Sequence, residues 1–305
     1  MSAGQEKRFD GRVAVVTGAG AGMGREHAKL LAARGSSVVV NDISRQAADE
    51  TVRIIESEGG AASASYDDIS TEAGAGALVA SAIDRYGRLD ILVSNAGIFR
   101  EVPFAEMTAG DFDTTMKVNT YGAFFVARAA WPHFIEQGYG RVVMVASSAG
   151  LLSLADAAHY AASKGALVGL GRSLAAEGAA HGINVNIMLP VAATGMGAKP
   201  LSSEEAEQAR QRVLRFIPAS LISPVVAWLV HEDNTMQGEI VDAGSGRAAV
   251  GFIGSGRGFW SESLSIEDLF THQNVVMDTD GCRELKTAGD GADWMFANCG
   301  WESEA

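Results

Sequence analysis

Tyr160 and Lys164 stand four residues apart in Ala157 to Gly178, a segment whose apolar spacing predicts a helix. That interval puts the phenol and the ammonium on one helix face. An ordinary phenol has a pKa of about 10, too high for proton exchange near neutrality. A nearby cation stabilises the phenolate and lowers that value, so the pair could serve as acid and base. Ser147 lies thirteen residues earlier, at the end of the run Arg141-Val142-Val143-Met144-Val145. A hydroxyl there can bond an oxygen on which charge develops; Ser148 competes for the same role. Asn119, in Lys117-Val118-Asn119-Thr120, falls in the long helical stretch before that run. Asparagine is a poor mid-helix residue, so its amide is expected to have a partner.

A second group of residues could hold a nucleotide. Val13-Ala14-Val15-Val16 leads into Thr17-Gly18-Ala19-Gly20-Ala21-Gly22-Met23-Gly24, and a helical pattern follows. A glycine turn between strand and helix lets backbone approach a pyrophosphate, and the helix N-terminus supplies free N–H groups. Asp42 ends the next apolar run, where an acid accepts hydrogen bonds from the adenosine ribose and repels a 2′-phosphate. NAD is therefore expected over NADP, although Arg45 is close enough to soften the preference. Asp68 and Ile69 follow a weaker run and could flank the adenine; Asp67 competes with Asp68. Ser94-Asn95-Ala96-Gly97 offers small residues where a cofactor could come close to backbone.

These groups need a frame. Short β-rich runs at Val13–Val16, Ser37–Val40, Ala62–Tyr66, Leu89–Val93, Arg141–Val145, Ile183–Met188 and Glu239–Val241 alternate with helical patterns. Apolar on both faces, they read as strands of a parallel sheet with helices on either side. The loop from Ala192 to about Gln211 follows such a strand and is a candidate substrate lid. Past Gly244 the pattern changes. The expectation is one domain over residues 1–244 and an acidic extension over 245–305, possessing a short helix at Leu264 to Thr271 and packing on a neighbouring subunit.

Composition removes several function classes. The chain has 305 residues and a formal net charge of −13, which argues against nonspecific binding to nucleic acid or an anionic membrane. The polar start has no signal-peptide core, and no apolar run is long enough to span a membrane. Cys282 and Cys299 match no metal or disulfide framework. A cytoplasmic protein without a metal is expected. His133 and His181 have no catalytic context, and His159 should point about 100° away from Tyr160, as a structural or pocket-rim residue. Trp131, Trp228 and most methionines suit core or interface packing, with Met188 and Met196 nearer the presumed pocket.

Taken together, Thr17-Gly18-x-x-x-Gly22-x-Gly24, Asn95-Ala96-Gly97, Asn119, Ser147 and Tyr160-x-x-x-Lys164 resemble the short-chain dehydrogenase/reductase family, from about Phe9 to Gly244. The resemblance implies a Rossmann-type doubly wound parallel sheet of about seven strands and a homodimer or homotetramer. It implies hydride transfer between NAD(H) and a secondary alcohol or ketone. Tyr160 would exchange the proton, Lys164 would lower its pKa and bind the nicotinamide ribose, Ser147 would orient the carbonyl, and Asn119 would hold a relay water. Cofactor contacts would come from Gly18, Ala21, Gly22, Met23, Gly24, Asp42, Asp68, Ile69, Asn95, Ala96, Gly97, Tyr160, Lys164, Pro190 and Val191. Phe9-Asp10-Gly11-Arg12-Val13, Tyr139-Gly140-Arg141-Val142 and Trp228-Leu229-Val230-His231-Glu232 further resemble the (3R)-hydroxyacyl-CoA dehydrogenase part of peroxisomal multifunctional enzymes. That leans the substrate toward a 3-hydroxyacyl-CoA or a hydroxysteroid-like alcohol. The alternatives are an NADP-linked ketoreductase and a silent nucleotide-binding scaffold. One departure concerns strand six, which ends in Pro190-Val191 where the family has Pro-Gly. A second is Thr194, which comes early for a carboxamide contact.

Overall fold

The computed structural model describes residues 6–192, 208, 211 and 214–299. The expected lid loop and Met196 and Thr194 lie almost wholly, or wholly, outside the described residues. The chain divides into two compact units, Met1–Val250 and Gly251–Ala305.

In the first unit, seven strands make a sheet that an eighth extends. They are β1 (Val13–Thr17), β2 (Ser37–Asn41), β3 (Ala61–Ser65), β4 (Ile91–Ser94), β5 (Gly140–Val145), β6 (Ile183–Val191), β7 (Ile240–Gly244) and β8 (Arg247–Gly251). Their order is β3-β2-β1-β4-β5-β6-β7-β8. Neighbours from β3 to β7 pair in parallel. The expected Rossmann-type sheet is thus present. The unforeseen β8 turns back from β7 through Ser245 and Gly246, both at positive φ (51° and 76°). Two such residues make the type I′ turn that fits a twisted hairpin, and a connection this short can only give antiparallel strands.

Strand residues alternate between two cores. Val13, Val15, Leu92, Val142, Met144, Val185 and Ile187 face one side. Ala14, Val16, Val38, Val40, Ile91, Val93, Val143, Val145 and Met188 face the other. Met188 is therefore a core residue and not a pocket one. Burial on both faces explains why these runs are continuously apolar. Helices α1 (Gly22–Ala33) and α2 (Arg45–Ser57) cover the second face. Helices α3 (Glu72–Tyr86), α5 (Gly122–Gln137) and α6 (Ala158–Gly178) cover the first. Between them run α4 (Ala109–Met116) and a π-helical turn, Lys117–Tyr121. The last helix of this unit is α7 (Ser223–Val230). No helix of the described residues is long and apolar enough to cross a membrane.

His27 on α1 is fully buried, with Nδ1 2.8 Å from Ser223 Oγ. Burial pushes its pKa down to about 3 from an ordinary 6.5. Its imidazole stays neutral in the fold, while the unfolded chain takes up a proton below about pH 6.5, so stability is lost as pH falls toward the folded value. Urea unfolding is expected to lose up to about 2 kcal/mol between pH 6.5 and 5 on this account. In His27→Gln that part of the slope should vanish; an unchanged slope would assign the acid sensitivity elsewhere.

The second unit holds a two-stranded antiparallel sheet, β9 (Gly254–Ser255) with β10 (Arg283–Glu284). Three short helices accompany it: α8 (Ile266–Thr271), α9 (Gln273–Val276) and α10 (Ala288–Ala297). The expected helix at Leu264 to Thr271 is α8, opened by a capping box between Ser265 and Asp268. A second box, Thr287 with Asp290, opens α10. None of the three helices contains a fully buried residue; Ile266, Phe270 and Met277 are 69%, 77% and 71% exposed.

Candidate active site

The C-terminal ends of β1, β4 and β5 meet where the sheet order reverses, the usual place for a ligand crevice in this architecture. Gly18, at φ +63°, turns the chain beneath β4, and a Cβ there would come within 2.8 Å of Ala96 Cα. Gly24 is held closer still: a Cβ would lie 2.3 Å from Gly18 O and 2.6 Å from Asn95 Nδ2. Ala21 and Gly22 are exposed at the start of α1. No side chain caps this helix, and its first turn carries no acid. Free N–H groups with the positive end of the helix dipole make an anion cradle of pyrophosphate type. Met23 is half-buried beside it.

Asp42 does more than the sequence suggested. Its Oδ2 accepts from Gly20 N at 3.0 Å and its Oδ1 from Ser44 N at 2.9 Å. The carboxylate thus ties the glycine turn to the entry of α2. Asp68 is exposed and accepts from Ser70 N, whereas Asp67 accepts from Ser65 Oγ at 2.8 Å inside the sheet end. Ile69 is only 5% exposed, in the core beneath Gly122. Its side chain belongs to packing, leaving only its backbone for a ligand.

Thr17, which the sequence offers only as the first residue of the glycine motif, joins the halves of the cleft. Its Oγ1 accepts from Asn95 N and Ala96 N, both at 3.0 Å. Asn95 Nδ2 donates to Thr17 O at 2.9 Å, while its Oδ1 is buried without a partner. An orphaned acceptor on Asn95, a neighbouring helix start without a cap, and glycines at Gly18 and Gly24 that no Cβ could replace fit a nucleotide rather than a closed core.

Helix α6 reaches this cleft because small residues bring it close to the sheet. A Cβ on Gly171 would meet Ile187 at 2.7 Å, and one on Gly150 would meet Gly165 N at 2.7 Å. The approach lets Lys164 Nζ donate to Val145 O at 2.8 Å. Ser147, just past β5, accepts from Ala149 N at 3.2 Å, and its hydroxyl is near enough to Tyr160 to bear on the phenol's pKa. Ser148 instead begins a 3₁₀ turn. Phe99 packs edge-on against Tyr160, the ring centroids 4.9 Å apart.

Asn119 lies in the π-turn and not in a regular helix. The wider turn aims its buried carboxamide at two segments. Its Oδ1 accepts from Ile98 N at 2.7 Å, and its Nδ2 donates to Ile98 O at 3.0 Å and Ser163 Oγ at 2.9 Å. Ser163 in turn donates to Tyr160 O at 2.8 Å. Gly97 sits in the gap between the relay candidates: a Cβ would lie 3.2 Å from Asn119 Oδ1 and 3.3 Å from Lys164 Nζ.

The electrostatics depart from expectation. Burial pushes the Tyr160 phenol above its ordinary value of 10, opposed by the Ser147 hydrogen bond. Lys164 is itself pushed down to about 8 by burial. Its Nζ lies 5.8 Å from the Tyr160 ring centroid. In this arrangement desolvation of the phenol outweighs the Ser147 contribution, so the chain's own residues hold the tyrosine pKa up rather than down.

Pro190 and Val191 end β6, and Val191 pairs with Gly244. Val191 is 46% exposed. His159 is fully buried with both ring nitrogens unpartnered, so it is structural and not a rim residue. Two cavities of about 330 Å³ each share Lys7, Phe9, His231 and Asp233. They lie at the opposite, N-terminal ends of the strands, where Arg12 precedes β1 and Tyr139 precedes β5, and their charges pair internally as Lys7–Asp233 and Arg12–Glu232. The described residues hold no cluster suited to a metal ion.

Known proteins resemble this chain in sequence and fold. The short chain dehydrogenase family model matches residues 12–206. A short-chain type dehydrogenase/reductase of Mycobacterium tuberculosis is 39% identical over 282 residues, covering 89% of this chain and 96% of that protein. Peroxisomal multifunctional enzyme type 2 of Drosophila melanogaster is 37% identical over 260 residues, covering 82% of this chain and 42% of the enzyme. Its full-length structure superposes with a TM-score of 0.79 at 31% identity, over 95% of this chain and 49% of that one. The chain thus spans half or less of that multifunctional relative. A 7α-hydroxysteroid dehydrogenase, solved with NADH and 7-oxo glycochenodeoxycholic acid, gives a TM-score of 0.72 at 33% identity, over 78% of this chain and 94% of that one. With a nucleotide cradle at one end of the cleft and a tyrosine–lysine helix at the other, the chain belongs to the short-chain dehydrogenase/reductase family, nicotinamide-dependent oxidoreductases acting on CH–OH groups.

Proposed function

We propose that the chain oxidises a secondary alcohol, or reduces the matching ketone, with NAD(H), using Tyr160 as the acid/base. The observation that carries this reading is the convergence of Tyr160, Ser147, Lys164 and Asn119 at the end of β5, beside the uncapped start of α1. Bound in that cleft, an oxidised nicotinamide would supply a hydride acceptor and a positive charge beside the phenol. That added charge is what the site needs, because burial alone holds Tyr160 protonated. In oxidation, the Tyr160 oxygen takes the proton of the substrate hydroxyl as its carbon loses hydride. In reduction, the phenol returns a proton to the carbonyl oxygen. Ser147 donates to that oxygen and fixes its direction. Lys164 holds its charge within the cleft and reaches the ribose side. Asn119 and Gly97 border a space where a water can pass protons onward from Lys164.

Glycine turn and Asp42 point to NAD(H), with Gly18, Ala21, Gly22, Met23, Gly24, Asn95, Ala96 and Gly97 as contacts, and Asp68, the Ile69 backbone, Pro190 and Val191 at the periphery. The substrate side is apolar. Phe99 and Phe104 follow β4, Leu151, Leu152 and Leu154 follow β5, and Val191 ends β6. Val102 N donates to Asp156 O at 2.7 Å, joining the first two loops. Such a rim favours a bulky hydroxysteroid-like alcohol, in keeping with the hydroxysteroid that one structural neighbour's name records, or the acyl part of a 3-hydroxyacyl-CoA. We further propose a cytoplasmic homodimer or homotetramer in which residues 245–305 pack on a neighbouring subunit. The exposed apolar side chains of α8 and α9 support that packing.

The test is NAD⁺ reduction by the purified chain across steroid, acyl-CoA, terpene and aryl alcohols. Turnover on the bulky apolar members is expected. Nucleotide binding without turnover on any of them would favour the silent scaffold instead.

A further inference from the structure

Ser163 stands on α6 between Tyr160 and Lys164, and the proposed chemistry leaves it unused. It is fully buried. Its hydroxyl bonds in both directions, donating to Tyr160 O at 2.8 Å and accepting from Asn119 Nδ2 at 2.9 Å. The first bond dictates the second. A carbonyl only accepts, so the hydroxyl proton is committed to Tyr160 O, and Ser163 offers the π-turn a lone pair. Asn119 must therefore turn its NH₂ group toward α6. Ile98 demands the same orientation from the other side, giving its N–H to Oδ1 and taking a bond from Nδ2. Each amide proton of Asn119 then has one acceptor, and only a lone pair of Oδ1 is left over. That oxygen borders the gap at Gly97, across from Lys164 Nζ.

The π-turn holds Ser163 at its backbone as well. Thr120 Oγ1 donates to Ser163 O at 3.1 Å. Consecutive residues of the turn thus grip one residue of α6, by side chain and by carbonyl. The two bonds transmit different things. The Thr120 bond sets only how closely the segments approach. The Asn119 bond also sets the direction in which an amide oxygen faces. Without the Ser163 hydroxyl, a buried N–H of Asn119 loses its acceptor, and the carboxamide is no longer held from both sides.

We propose that Ser163 is a positioning residue for the acid/base groups: through Asn119 it holds an acceptor oxygen at the place where a proton passes onward from Lys164. This rests on the acid/base reading above and adds to it a residue that acts only through another.

Ser163→Ala, Ser163→Thr and Thr120→Val are compared with the native full chain by steady-state kinetics on the best alcohol of the panel, by NADH titration and by thermal unfolding. Ser163→Ala is expected to lower kcat about tenfold, the scale of one hydrogen bond to a buried amide, with KM and NADH affinity within about twofold. The fall should be larger in deuterium oxide, because the step that slows moves a proton. Ser163→Thr keeps the hydroxyl and should recover kcat to within about threefold of native. Thr120→Val loosens the same contact without touching the amide, so its unfolding midpoint should fall while kcat stays within about twofold. Native kcat in Ser163→Ala would overturn the assignment. So would a loss of kcat that Thr120→Val matches, or one accompanied by an equal loss of NADH affinity, since a merely structural residue behaves so. Where Ser163→Thr does not fold, the contrast between Ser163→Ala and Thr120→Val decides. A native chain that turns over no alcohol overturns the acid/base reading itself, and this assignment with it. Native kcat in Ser163→Ala, in a chain that Tyr160→Phe inactivates, overturns this assignment alone.

Discussion

Tyr160→Phe is expected to lower kcat/KM by about 10²- to 10⁴-fold, the range supplied by a positioned acid or base. NADH affinity should stay within about twofold. The substitution removes one oxygen and little else. The edge contact with Phe99 belongs to the ring and survives. The Ser163 bond is to the Tyr160 backbone carbonyl and survives as well. The glycine turn and Asp42 are untouched. Steady-state kinetics on the best alcohol of the panel, beside an NADH titration, separate chemistry from binding. Activity near the native level would remove Tyr160 from the mechanism, and equal loss of NADH binding would recast it as a cofactor residue.

Lys164→Met should abolish turnover to a comparable degree and, at neutral pH, make the protein more stable. Lys164 is fully buried, and its pKa of about 8 lies below the ordinary 10.5. Its charge is therefore disfavoured in the fold. The penalty is complete below about pH 8 and is relieved as pH rises from the folded value to the unfolded one. Its size, up to about 3 kcal/mol, follows from the shift. The bond to Val145 O returns part of that. Thermal unfolding of native and Lys164→Met chains at pH 7 and pH 10 is the measurement. A higher midpoint for the variant at pH 7, shrinking at pH 10, is expected. A variant less stable at both would show that the ammonium is well solvated where it sits.

The frame and the candidate reacting groups are legible in the sequence for one reason: both write themselves in local spacing. Continuous apolar runs such as Val38–Val40 declare strands buried on both faces, and the Tyr160–Lys164 interval declares a shared helix face. What stayed hidden depends on partners distant in the chain. Thr17 looks like an ordinary strand-end threonine until Asn95 and Ala96 arrive on its hydroxyl. That the Ile69 side chain packs against Gly122, leaving its backbone for a ligand, depends on a segment more than fifty residues away. The π-turn at Asn119 has no periodicity of its own, because one extra residue in a helix leaves the surrounding spacing almost unchanged. Strand β8 was missed because Arg247-Ala248-Ala249-Val250 has neither strict alternation nor β-branched density, and only the paired positive φ of Ser245 and Gly246 commits it. Spacing reveals a cation near Tyr160 but not the burial that pushes the phenol up.

Ile98 gives both its amide N–H and its carbonyl to the Asn119 side chain. The next residue, Phe99, begins the apolar rim. Backbone groups are indifferent to which side chains follow them, so the loop can exchange its apolar residues while its starting point stays registered to the π-turn. On the reading proposed above, a chain built this way can acquire new substrates by mutation downstream of residue 98 without rebuilding its acid/base groups. Heritable variation in appetite is thereby separated from heritable competence.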